Sequence, residues 1–279
     1  MSQKTALIWS ALVLILLPLP GYGGTIRTAI TTTWTITDPG AIGLDIRIRN
    51  NGDVTAHKVA VTLLLAHVVR EYDGLGDNPA GGQIHVQKEL ADPGLKPGRY
   101  RAVVRVDFEE QAGRSHHAYH FFEIPYRTDD MPAPDLPLEL HVTDPYFNRK
   151  AFWHKDDDIA LSVKNNSPEK ILLKARPFLP EGFSSQAPER TFPVGPGETK
   201  IVAIPVRLDP GGKAPSPFHL LVWSNHGGAH YAWDLKGTIE VGEAPVFFKI
   251  YVVSGVSVLI LVFGLLLFRS SPPRNRPSH

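Results

Sequence analysis

The densest group of possible metal ligands is the run His116-His117-Ala118-Tyr119-His120. Imidazole nitrogens bind zinc and other transition metals. In an extended strand, however, His116 and His120 share a face but lie about 13 Å apart, at about 3.3 Å per residue, and His117 faces the other way. A single ion would need further ligands from His85, His226 or His230. The spacing favours polar histidines on a strand face, and we predict neither a metal ion nor a cofactor.

Two acidic runs contain the oxygen ligands that calcium prefers, Asp-Asp-Asp at 156–158 and Asp-Gly-Leu-Gly-Asp-Asn at 73–78. Neither run has the ligand spacing of a calcium-binding loop. We therefore interpret both as solvated turns.

Aromatic residues suggest two candidate contact surfaces. Trp223, Tyr231 and Trp233 lie on opposite arms of a predicted hairpin and could stack against sugars. Alternation places Trp223 with Leu221, and Tyr231 with Trp233 and Leu235, so these aromatic faces are predicted to be core. The better candidate is the loop 146–154, which mixes aromatics with cations and shows no alternation. Its partner-binding residues are predicted to be Tyr146, Phe147, Phe152 and Trp153.

Catalytic motifs are missing from the sequence. It contains no Gly-x-Ser-x-Gly elbow, no His-Glu-x-x-His helix and no phosphate-binding glycine loop. We predict that the protein is not an enzyme and has no catalytic residues.

Two apolar segments bracket the chain. Residues 1–24 have one early cation, a short apolar run and a helix-breaking end with small residues, which predicts a secretory signal peptide; an uncleaved anchor is the alternative. Residues 246–268 include about 19 uncharged residues, enough for about 28 Å of helix, and predict one transmembrane span. Arginines in 269–279 then predict a cytoplasmic tail. The expected topology is single-pass type I in the cytoplasmic membrane.

Composition narrows the class of protein further. The chain contains no cysteine, which favours a bacterial or archaeal envelope protein over a disulfide-dependent animal domain; periplasm and cell surface stay open. Five of the 29 basic residues lie in the targeting and membrane segments, whereas all 28 acidic residues lie between them. That outer part has a net charge of −4, which predicts no nucleic-acid partner.

The outer part alternates like β-structure. Ile42, Leu44, Ile46 and Ile48 are predicted to face a core, with Asp45, Arg47 and Arg49 facing solvent. The strand from Tyr100 to Glu109 repeats this pattern. Turn residues separate such strands and no helical period lies between them, so antiparallel sandwiches are expected.

An internal repeat divides this β-structure into two halves. Residues 44–51 and 159–166 are both alternating strands that end in Asn-Asn, and the Pro-Gly turn in 95–100 resembles the turn in 194–199. Each half closes with an aromatic-rich hairpin. A proline-rich stretch, 125–137, is predicted to be a stiff linker. The predicted domains are one sandwich at 25–124 and another at 138–243.

The segment 158–208 carries a family resemblance through its Asn-Asn turn, the run Leu179-Pro180-Glu181-Gly182-Phe183, Phe192-Pro193-Val194 and Pro196-Gly197-Glu198. It resembles bacterial immunoglobulin-like domains of the cell-adhesion-related (CARDB) type and those associated with α-galactosidases. The first half resembles a more diverged copy, although the insertion at 70–82 departs from the pattern. The resemblance implies tandem all-β immunoglobulin-like sandwiches that serve as spacers, adhesive units or envelope subunits.

These features predict a membrane-anchored, non-catalytic protein that docks onto another component of the cell envelope. The expected partner is an envelope protein or a polysaccharide. A glycan-binding or adhesive module is the alternative. A flat apolar surface would favour a protein partner, and a groove with polar neighbours would favour a sugar.

Overall fold

The computed structural model describes residues 24–37, 40–91, 94–133, 135–147, 156–209 and 215–242. Its regular elements are strands apart from one 3-10 turn, Thr128–Asp130, so the described part of the chain is all-β, as predicted. The chain divides into two compact units, Met1–Leu95 with Tyr100–Tyr126 and Lys96–Arg99 with Arg127–His279.

The strands of the first unit form two sheets. They are β1 (Thr28–Thr37), β2 (Ala41–Asn50), β3 (His57–Leu65), β4 (Val68–Tyr72), β5 (Gln83–Leu90), β6 (Gly98–Glu109) and β7 (Ser115–Tyr126). One sheet has the order β1-β2-β5, and the other pairs β4 with β3, β3 with β6, and β6 with β7. Apolar residues from both sheets share one core, so the unit is sandwich-like.

The strands of the second unit repeat this arrangement. They are β8 (Leu138–Thr143), β9 (Tyr146–Phe147), β10 (Asp156–Asn165), β11 (Ile171–Phe178), β12 (Phe183–Ser184), β13 (Arg190–Val194), β14 (Thr199–Leu208), β15 (Ser216–His226) and β16 (Ala229–Val241). One sheet has the order β12-β14-β10-β8, and the other has the order β13-β11-β15-β16, with β9 beside β16. A second core lies between them.

Strand β2 confirms the predicted alternation. Ile42, Leu44, Ile46 and Ile48 are all buried, and Arg47 and Arg49 are exposed. In β6, the predicted inward set from Tyr100 to Phe108 is buried too. Period-two alternation suffices here because each strand has one face in the core and charges on the other.

The Asn-Asn correspondence is confirmed in three dimensions. Asn50 donates its side-chain amide to the Val54 and Asn78 carbonyls, at 2.8 and 3.0 Å. Asn165 donates likewise to the carbonyl four residues on, Glu169 O at 2.7 Å, and to Val194 O at 3.2 Å at the end of β13. Each buried asparagine therefore lies at the end of an inner strand of its sheet and ties that strand to the end of another strand or to the loop after it.

The Pro-Gly correspondence is wrong. Gly98 opens β6, which pairs with β3, whereas the turn at Gly197 opens β14, which pairs with β10. β5 pairs with β2 as β14 pairs with β10, so β5, not β6, is the counterpart of β14. A Pro-Gly turn reverses the chain locally and holds no information about which strand follows it.

Candidate functional site

The predicted docking loop begins with two residues that face opposite ways. Phe147 is 2% exposed and lies against Phe183, with ring centroids 5.8 Å apart. It is a core residue, and its assignment to a partner-binding surface is wrong. Tyr146 is 55% exposed. Phe152 and Trp153 lie outside the described residues, so their role in docking stays a prediction.

Backbone hydrogen bonds hold Tyr146 and Phe147 in place. The Tyr146 amide donates to Asp157 Oδ2 at 2.7 Å, and the Gly242 amide donates to Phe147 O at 2.8 Å. The pair therefore forms a short parallel bridge beside the end of β16. Asp157 belongs to the acidic run 156–158, and its described contact is with backbone rather than with other carboxylates.

The second acidic run is likewise part of the framework. Asp77 accepts a hydrogen bond from the Lys58 amide at 3.0 Å and lies 2.8 Å from His57 Nδ1. The hydrogen bond with His57, followed by that from Lys58, lowers the pKa of the Asp77 carboxyl. The adjacent Asn78 is buried and donates to Ile48 O at 3.1 Å. The acidic run 73–78 therefore holds the inserted segment 70–82 against β2.

The histidine run packs against aromatic rings on β6 and β7. His116 stacks on Phe108 with centroids 5.6 Å apart, and His120 stacks on Phe122 at 5.8 Å. Burial lowers the pKa of His120, which favours its neutral form. Within the described ranges, no three His, Cys, Asp or Glu side chains are grouped so that they could hold a metal ion.

The register of β15 and β16 separates the two tryptophans of the second hairpin. Trp223 pairs with Ala232, and Trp233 pairs with Val222. Because directly paired residues project from the same face of a sheet, Trp223 and Trp233 lie on opposite faces. A platform made of both rings is therefore ruled out.

Trp223 is the tryptophan that was assigned to the wrong side. Its neighbour Val222 projects from the opposite face of β15 and is buried in the core. Trp223 therefore faces outward, with the Arg176 guanidinium 5.9 Å from its ring centroid. Tyr231 and Trp233 do pack on the core, as predicted. Alternation gave the wrong face for Trp223 because both faces of β15 are apolar: Leu221 lies on the face of Trp223, and Val222 lies on the core face.

An exposed apolar surface was missed by the sequence analysis. Ile201 on β14 is 72% exposed, on the outer face of the sheet β12-β14-β10-β8. Its cross-strand partner is Ser162, and the next pair along these strands is Ala203 with Ala160. We call Ile201, Ala203, Ala160 and Ser162 the Ile201 patch.

The patch is flat and uncharged, with charges at its margins. Alanine and serine side chains barely rise above the sheet, so Ile201 projects from a smooth surface. Beyond Ser162, Lys164 Nζ lies 3.3 Å from Glu139 Oε1; at the other end Arg207 pairs with Asp156 at 4.0 Å. The sequence of β14 does contain a signal for an exposed apolar face, because the run Ile-Val-Ala-Ile-Pro-Val at 201–206 places apolar residues on both faces of the strand.

Comparisons with known proteins identify a fold-level likeness only. No protein-family model and no curated protein matches the chain, so the CARDB relationship stays a prediction.

Among the described residues, none forms a helix with the length and apolar character that a membrane crossing needs. The predicted span 246–268 and the predicted signal peptide lie outside the described residues.

Several solved structures are similar in their β-rich architecture. Red sea bream transglutaminase is 13% identical, with a TM-score of 0.28, over 78% of this chain and 31% of its own. Trypsin-activated α2-macroglobulin from Escherichia coli is 11% identical, with a TM-score of 0.29, over 77% and 18%. A protein of unknown function from Porphyromonas gingivalis W83 is 10% identical, with a TM-score of 0.32, over 76% and 99%. This chain spans under a third of the first protein and under a fifth of the second. Overlaps at this level carry no argument about function.

Proposed function

We propose that this protein is a non-catalytic docking or scaffold subunit of a bacterial cell-envelope assembly. It consists of two tandem immunoglobulin-like sandwiches held outside the cytoplasmic membrane by one helix. The repeated strand order of the two units supports the sandwich assignment. The apolar run 250–268, which has no charged residue, supports the anchor.

The observation that carries the docking function is the Ile201 patch. Ile201 is a large aliphatic side chain that is 72% exposed on the outer face of the sheet. Covering it with a partner would remove apolar surface from water, which is favourable. An uncharged centre with a charged margin is also the usual anatomy of a protein interface. The flatness of the patch favours a protein surface over a sugar, because sugars bind in clefts that surround them.

Site-specific photocross-linking tests this function. A photoreactive phenylalanine at position 201 should give one discrete adduct in native membranes. The matched control is position 172, where Leu172 is 56% exposed on the other sheet of the same unit. Ile201→Asp should abolish the partner's recovery without lowering the unfolding midpoint. Adducts of equal yield at both positions would contradict the proposal.

The membrane topology has its own test. A reporter fused after His279 should be cytoplasmic, and a reporter fused after Gly242 should not, because the arginines of the tail oppose translocation. Digestion of the tail by protease in intact spheroplasts would refute the anchor.

A further inference from the structure

The sheet β1-β2-β5 of the first unit has the opposite surface chemistry to its counterpart in the second. Aligning Asn50 with Asn165 makes β2 the counterpart of β10. The pair Ala160–Ala203 in the second unit then corresponds to Asp45–Gln87 in the first. The same face that is apolar in one repeat is thus strongly polar in the other.

A groove of about 410 Å³ opens on this polar face. Two rows of paired residues line it, one from Thr33 through Asp45 to Gln87 and one from Thr35 through Gly43 to Glu89. Because Gly43 has no side chain, the middle of the second row holds no side chain of its own, and the Thr35 hydroxyl lies beside it. With strands about 4.8 Å apart, Thr35 and Glu89 stand about 10 Å apart across the gap.

The backbone of the sheet does not require a glycine at position 43, and the crowding that a side chain would meet there comes from Thr35. Its φ is not among the positive values, so any residue could adopt this backbone conformation. A Cβ there would meet only Thr35, at 2.8 Å from the rotatable hydroxyl Oγ1 and 3.9 Å from the carbonyl O. Glycine inside a strand weakens it and often marks the close approach of a ligand. The feature that Gly43 preserves is the open groove.

The polar walls are arranged before any ligand arrives. Asp45 accepts hydrogen bonds from Gln87 Nε2 at 3.1 Å and Arg47 Nε at 3.1 Å, and it lies 2.8 Å from His85 Nε2. These contacts fix the carboxylate, and they also orient the Gln87 amide. Within the described part of the chain, Glu89 has no ion-pair partner.

We infer that the groove over Gly43 binds a neutral carbohydrate. Sugar hydroxyls are both donors and acceptors; the Glu89 carboxylate can accept from them, and the Thr33 and Thr35 hydroxyls can do either. Lys88 and Glu89 both line the groove, and the partners of Asp45 compensate the charge of its carboxylate, so the groove has no strong net charge and favours a neutral ligand over an anion or a cation. The inference goes beyond protein docking, since it concerns a different unit and a different class of ligand.

Saturation-transfer NMR tests the inference on the full chain in lipid nanodiscs, because maltoside detergents would compete. The probes are cellobiose, diacetylchitobiose and mannobiose, with digalacturonate as the anionic comparison. At least one neutral disaccharide should receive saturation, and digalacturonate should receive less. No transfer to any neutral probe, or a preference for digalacturonate, would overturn the inference.

A pair of variants locates the binding. Gly43→Val fills the groove with a residue that strands favour, so the unit should stay folded while affinity falls by at least about tenfold. Ala29→Val adds β-branched bulk on the same face of β1 in the row of Arg49, away from the groove, and should leave sugar binding unchanged. If Gly43→Val unfolds, Thr35→Val and Glu89→Gln replace it, since each keeps the shape of its side chain. Unchanged affinity in the folded variants would overturn the site. Cross-linking at position 201 should be unaffected by Gly43→Val, so the two proposals can fail separately.

Discussion

Replacing Asn165 with alanine should destabilise the second unit far more than the same change at its neighbour Asn166. The two N–H groups of the Asn165 amide donate to the carbonyls of Glu169, Val194 and Gly195, at 2.7, 3.2 and 3.0 Å from Nδ2, with one N–H shared between two of them. Its Oδ1 accepts from the Ser167 amide and hydroxyl at 2.9 and 2.7 Å. The side chain is fully buried.

Each such bond contributes about 1 kcal/mol net, and buried groups left without a partner cost more. Since water can reach some of the carbonyls after truncation, we expect Asn165→Ala to lower the free energy of unfolding by about 3–4 kcal/mol. The Asn166 side chain is exposed and, among the described residues, makes one hydrogen bond, from its amide to Glu139 Oε1 at 2.7 Å. Asn166→Ala should cost at most about 1 kcal/mol.

Urea unfolding followed by tryptophan fluorescence measures the difference. A Trp34→Phe background removes the described tryptophan of the first unit, so Trp223 and Trp233 report on the second. Asn50→Ala, studied without that background, should show a comparable loss in the first unit. Equal losses for Asn165→Ala and Asn166→Ala would refute the idea that one buried amide holds the strand end.

Three further predictions concern other parts of the fold. Ile46→Asp buries a charge on the core face of β2 and should cost several kcal/mol, whereas Arg47→Asp should change stability by about 0.5 kcal/mol or less; equal melting losses would contradict the face assignment. Phe147→Ala should cost about 3–5 kcal/mol and Tyr146→Ala far less, which thermal unfolding of both variants will show. Hydrogen bonds from Gln87, His85 and Arg47 lower the pKa of Asp45 to about 2. Its contribution to stability is therefore present above the unfolded pKa and lost as the pH falls toward 2, so Asp45→Asn should flatten acid unfolding there, and an unchanged acid limb would contradict this.

The parts of the fold that sequence predicts well are those where one strand face is apolar and the other is charged. Ile46 and Arg47 illustrate this, because burying Arg47 instead would carry a large desolvation penalty. Asn50 and Asn165 were recognisable as equivalent because each stands at the end of such a strand. In these places local pattern and tertiary burial require the same arrangement.

Where both faces of a strand are apolar, the sequence alone cannot show which face packs in the core. Trp223 was assigned to the core, and Ile201 was not assigned to a surface, because their neighbours are equally apolar. Phe147 was placed on a surface because its own strand has only two residues, too few for alternation to show. The Gly43 groove depends on cross-strand register, which no single strand contains.

The connection between β16 and the segments beside it has a mechanical consequence. Eleven residue pairs join β16 to β15, and two more join its end to β9. Hydrogen bonds of an antiparallel ladder run perpendicular to the strands, so tension applied along the axis of β16 at Gly242 loads many of them at once. Peeling from a free end would instead break them one by one. The last described strand of the second unit is therefore a stiff force-bearing element, suited to transmit a pull applied at Gly242 into the body of the sandwich without unravelling it.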